Sequence, residues 1–131
     1  MIEPAINWSA EVRLAQAEVT REVADQPGVY QILQNPSYPR YKGMTRVLKI
    51  GKSDGSLRKE VSNHFVRHTA ANRLARIRKQ PGVEVSVVFA VLPDPASAEK
   101  ALLCRFEDDH WDLPALNSQR GYDRSEDGHY R

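Results

Sequence analysis

The spacing of apolar residues changes several times along the chain, and each change marks an element. From Val83 to Leu92, Val83, Val85, Val87, Phe89 and Val91 fall on one face of an extended chain. Val88, Ala90 and Leu92 keep the other face partly apolar. Period two with both faces apolar predicts an interior strand. Val29 to Leu33 alternates in the same way and is rich in β-branched and aromatic residues, which predicts another strand. Val47 to Ile50 reads as its hairpin partner, ended by Gly51 and reached through a polar loop from Gln34 to Thr45. The period then changes. Leu57, Val61 and Phe65 recur every four residues and predict a helix from Leu57 to Arg67, followed by a second from Thr69 to Lys79 with Leu74 and Ile77 inward. A weaker pattern over residues 5–24 (Val12, Leu14, Ala17, Val19) predicts a first helix capped by Asn7 or Ser9 and broken by Gln26-Pro-Gly28. The order α, β, β, α, α, β, α predicts an α+β fold, an α/β sandwich. It would have a small three-stranded antiparallel sheet flanked by helices and an extra N-terminal helix.

The last of these helices carries the first chemical signal. It is predicted over Ala96 to Phe106, with Asp94 capping its amino end and Pro95 at the first helical position. Leu102, Leu103 and Phe106 fall three, four and seven residues after Glu99, so a carboxylate lies in line with the core-facing stripe. A carboxylate drawn into a core needs a cation, a metal or a proton. Trp111 is expected to lie over this helix as a lid. Asp108, Asp109 and His110 are expected to form a solvated helix end.

Composition narrows the class. At 131 residues, with 40% hydrophobic and 27% charged, the chain suits one ordinary folded domain over 1–131. Its core is expected over 28–117, with 1–27 a helical extension and 118–131 a polar tail. Cys104 is the one cysteine and reads as a small buried hydrophobe. No apolar run approaches membrane-spanning length and no secretion signal is visible, so a cytoplasmic location is expected. The net charge of +2 conceals an uneven distribution: residues 28–104 carry thirteen bases against five acids, and both ends are acidic. Between Arg58 and Lys79 seven bases face a single acid, Glu60. Such clustering is the electrostatic footprint of a polyanion partner. Lys52, Arg58, Lys59, Arg67, Arg73 and Arg76 are the candidate nucleic-acid contacts.

Set in order, Gly28-Val-Tyr30, Lys49-Ile-Gly51, His64 on a helix, Glu99 on a late helix and Leu113-Pro-Ala-Leu-Asn117 resemble the GIY-YIG nuclease family over roughly Gly28 to Asn117. The resemblance implies an endonuclease that hydrolyses phosphodiester bonds in DNA, with RNA also open as substrate, using Mg²⁺ or Mn²⁺. It implies that Glu99 binds the metal, Tyr30 lies near the attacking water, Asn117 holds the site's loop and His64 is a polar site residue. A metal held by one carboxylate and waters suits the charge relief that phosphodiester cleavage needs, and it would give Glu99 its cation.

Two positions depart from the family pattern. Lys49 stands where the second triplet has a tyrosine. It is a candidate to take a proton from the water or to neutralise phosphate charge. The arginine expected four residues before His64 is replaced by Glu60, and Arg58 is the nearest candidate for its role, with Arg67 another. The alternative expectation is a catalytically impaired nucleic-acid-binding module of the same fold. A further one is an accessory protein whose acidic ends meet a basic partner. A homodimer would supply two sites, where a monomer would only nick.

Overall fold

One antiparallel sheet carries the fold of residues 5–65 and 69–117, the part described by this computed structural model; within it the side chains of Phe65 and residues 69–72 lie outside the description. The elements in chain order are β1 (Val12–Arg13), α1 (Gln16–Glu22), β2 (Gly28–Pro39), β3 (Met44–Ser53), α2 (Leu57–Ser62), a 3-10 turn (Asn63–Phe65), α3 (Thr69–Arg78), β4 (Glu84–Val91) and α4 (Pro95–His110). The class is α+β, as predicted, but the sheet has four strands, in the order β1-β4-β2-β3.

The fourth strand comes from the segment predicted as the first helix. Val12 and Arg13 pair with Val87 and Ser86 on the outer side of β4. Upstream, Ser9 exchanges hydrogen bonds with Phe89, its N–H donating to the Phe89 carbonyl at 2.8 Å and its Oγ accepting from the Phe89 N–H at 3.0 Å. Only Gln16–Glu22 is helical, and its N-cap is Ala15 rather than Asn7 or Ser9. Ile6, Trp8, Ala10, Val12 and Leu14 occupy every second position, which is a strand's period. The open side of β4 offered unpaired backbone groups, and this segment satisfies them.

The hairpin is longer than its apolar cores. Gln34 and Asn35 pair with Val85 and Glu84, while Tyr38 and Pro39 pair with Thr45 and Met44. Most of the expected loop is therefore ladder, and the reversal is confined to Arg40–Gly43, where Gly43 takes a φ of +74°. β4 is interior, as its two apolar faces predicted.

The sheet is buried on both sides. On one, Tyr30, Ile32, Leu48, Val85 and Val87 pack with Val19, Leu57, Val61 and Leu74 of the first three helices. On the other, Val29, Ile50 and Ala90 pack under Ala98, Leu102, Leu103 and Phe106 of α4. The Asp94 side chain accepts from the Ser97 N–H, and Pro95 opens α4, as expected. Cys104 is buried. Trp111 is no lid. It caps α4 in the left-handed region (φ 58°), remains 62% exposed and stacks on Tyr41. Once the chain turns left-handed at the helix end, the indole is carried outward, away from the core. Among the described residues no helix is long and apolar enough to cross a membrane. Arg67, His68 and the tail 118–131 lie outside the described residues.

Candidate active site

β3 is an edge strand, and the candidate site is an open cleft of about 200 Å³ on its Lys49–Lys52 segment. β2 brings Tyr30, α2 brings Glu60, α4 brings Glu99 and the segment after α4 brings Asn117. Residues separated by as many as 87 positions in sequence meet here because the two faces of the sheet converge on its free edge.

The two glycines of the triplets are steric requirements. Gly51 lies opposite Tyr30 in the β2–β3 ladder, and a methyl group on it would fall inside the phenol ring. A side chain at Gly28 would meet the Ala90 carbonyl of the neighbouring strand. Both positions require close backbone approach. Asn117 supplies the edge. Its Oδ1 accepts from the Ile50 N–H and its Nδ2 donates to the Ile50 carbonyl, each at 2.9 Å. One side chain thus satisfies both outward-facing groups of an edge residue and holds β3 straight beside the cleft.

Tyr30 is fully buried, and its hydroxyl lies 3.2 Å from Glu60 Oε2 and 2.8 Å from His64 Nε2. His64 sits on the 3-10 turn rather than on a continuous α-helix, and it is buried. Burial pushes the Tyr30 phenol well above its ordinary range, and the charges of Glu60 and Glu99 push it further. Burial pulls the Lys49 ammonium down, against Glu60 and Glu99, which hold it charged; the positive charge of Arg73 adds to the lowering. Glu99 is half-buried. Desolvation raises its carboxyl, while Lys52 and Lys49 oppose the rise. The Lys52 ammonium is held charged, chiefly by its 2.7 Å contact with Asp54.

Of the predicted catalytic set, Tyr30, Lys49, Glu99 and Asn117 line one cleft and His64 stands behind Tyr30. Arg58 is elsewhere: its Nε donates to the Val23 carbonyl at 3.0 Å and its charge bears on Asp25. Glu60, two residues on, turns to the cleft instead. Among the described residues, Arg73 is a guanidinium felt inside. It is exposed on α3, donates to the Ala115 carbonyl at 3.3 Å and influences Lys49. Lys59 and Arg76 are exposed on α2 and α3.

Glu99 and Lys49 make no hydrogen bond or ion pair with another described residue, and the cleft between the elements is open. A half-buried carboxylate with raised pKa and no direct partner among the described residues could hold Mg²⁺ or Mn²⁺, which bind through one or two carboxylates and keep several waters. Among the described residues no group of three or more His, Cys, Asp or Glu could cage a metal.

Comparison with protein-family models, with curated proteins and with solved structures yielded no match.

Proposed function

We propose that the chain is a divalent-metal-dependent endonuclease that hydrolyses phosphodiester bonds in DNA, acting in the cytoplasm. The observation that carries this reading is the meeting of Tyr30, Lys49 and Glu99 at one cleft whose edge strand is clamped by Asn117. Phosphodiester hydrolysis needs charge relief on the phosphate, a placed water and an acceptor for its proton. Glu99 would hold the metal, which when bound neutralises phosphate charge. Lys49 presents an ammonium whose hydration is partly removed by burial, so its attraction for an incoming phosphate oxygen is less screened. Arg73, Lys59 and Arg76 offer a basic approach to the backbone, a contact that gives affinity without sequence choice. Tyr30 places a hydroxyl at the cleft wall and is held there by Gly51, Glu60 and His64.

A second reading has its own observation. Among the described residues no arginine lines the cleft, Arg58 is held on Val23, and Glu60 occupies the place where the family resemblance expects the guanidinium. A module that binds DNA without cutting it would tolerate that exchange.

Supercoiled plasmid separates the two. With Mg²⁺, wild type should convert it to open circles, and Glu99→Gln should do so about 100-fold more slowly, the usual scale for losing one electrostatic stabiliser of the transition state. Binding by wild type with no nicking overturns the nuclease and leaves the module.

A further inference from the structure

The resemblance assigns no role to a carboxylate at position 60, yet Glu60 is built into the hydrogen bonding of Tyr30. A carboxylate only accepts, so across 3.2 Å it is the Tyr30 hydroxyl that donates to Glu60 Oε2. A phenol has one proton. Its 2.8 Å contact with His64 Nε2 must then run the other way, the ring N–H donating and the phenol oxygen accepting. The direction of the chain is thereby set: His64 to Tyr30 to Glu60. His64 is buried on the 3-10 turn and holds the phenol from behind, while Tyr30 and Glu60 both line the cleft.

We propose that Glu60 is the terminal acceptor for the proton of the attacking water, reached through the Tyr30 hydroxyl. This rests on the endonuclease reading. As the water oxygen bonds to phosphorus, its proton moves to the Tyr30 oxygen and the Tyr30 proton moves to Glu60. The bond from phosphorus to the leaving oxygen breaks, and that oxygen takes a proton from solvent. Tyr30 begins and ends neutral. Burial and two nearby carboxylates disfavour a standing phenolate, so passing a proton through the phenol avoids a species that the site opposes. Glu60 acts through Tyr30 and is a positioning residue in that sense. Its presence in place of an arginine exchanges phosphate neutralisation for proton acceptance, and Lys49 and Arg73 remain to supply positive charge.

The test uses the full chain with Mg²⁺ and supercoiled plasmid at several DNA concentrations. Glu60→Gln keeps the shape and a hydrogen-bond acceptor but loses the basicity. It should lower kcat about 100-fold, within the range for a lost acid–base group, and leave KM nearly unchanged. Glu60→Arg should be no faster than Glu60→Gln. Arginine cutting as fast as wild type, or faster, overturns the inference, because the site would then need the guanidinium. An unchanged kcat in Glu60→Gln overturns it as well. A readout independent of cleavage comes from the ¹⁵N shifts of His64 in wild type. They should report a proton on Nε2, and a proton on Nδ1 alone overturns the chain as drawn. If Glu99→Gln is inactive while both Glu60 variants cut normally, only this inference falls; if wild type does not cut, the endonuclease reading falls with it.

Discussion

Gly51 has no side chain because Tyr30 occupies the space one would need. Nothing flexible lies in the way that could yield cheaply; the collision is with the ring and hydroxyl of a fully buried residue. Gly51→Ala should therefore cost about 1–3 kcal/mol, the usual range for overpacking, in urea unfolding. It should also shift the NMR signals of Tyr30 and His64. Glu99 gives the opposite sign. Its folded-state carboxyl is raised above the ordinary value, chiefly by desolvation, so the folded state binds the proton more tightly than the unfolded chain does. Its contribution to stability is complete below the ordinary glutamate pKa and is lost as pH rises through the folded value. Glu99→Gln, which never ionises, should be more stable than wild type at neutral pH, and the difference should close as pH falls below about 4.5, the unfolded reference. Higher stability on removing the carboxylate is the expected pattern where a charge is held in a place that folding disfavours. Thermal unfolding of both proteins across pH 3–8 checks this.

At the scale of elements, β3 shows how an edge strand is kept straight beside an open cleft. Ile50 turns its N–H and carbonyl away from β2, and Asn117 takes both. Asn117→Ala removes two partly buried hydrogen bonds, and at about 1 kcal/mol each the loss should be about 2 kcal/mol. Amide exchange at Ile50 should rise by more than at Val29, which lies in the interior strand β2. How readable each element was depended on who its neighbours are. α4 was plain in the sequence because its cap and its apolar stripe are both local: Asp94, Pro95, then Leu102, Leu103 and Phe106. The first strand is hidden because its alternation from Ile6 to Leu14 runs without a turn residue into the helical segment that carries Val19, so the two blur into one weak pattern. Its pairing with Val87 is a contact 75 residues distant in sequence. The extension of β2 to Pro39 was hidden for the same reason, since its polar residues are held by β4 and by the far arm of the hairpin rather than by their own pattern.

For the molecule as a whole, the net charge of +2 is less informative than its placement. The exposed bases Lys59, Arg73 and Arg76 lie on α2 and α3, on the face of the sheet from which Tyr30 reaches the cleft. If these bases meet phosphates, binding should weaken with salt at a slope of about −0.9 in log–log terms for each contact. Replacing Lys59 and Arg76 by Gln should flatten that slope by about 2 while leaving Glu99-dependent chemistry at saturating DNA in place. Fluorescence anisotropy of a labelled duplex between 50 and 200 mM salt measures it.

By itself the sequence determined the class of fold, the interior strand, the capped last helix and the placing of Glu99 on a core-facing stripe. These rest on period, caps and turn residues, which act between neighbours in the chain. Only the tertiary structure decided what Glu99 meets. It brought Tyr30, Lys49 and Asn117 to the same strand edge, turned Arg58 to Val23 and brought Glu60 into the hydrogen bonding of Tyr30. The helix carrying both residues 58 and 60 can present either one to the cleft, and what chooses is how its buried Leu57 and Val61 seat against the sheet. That choice belongs to packing, which no local pattern encodes.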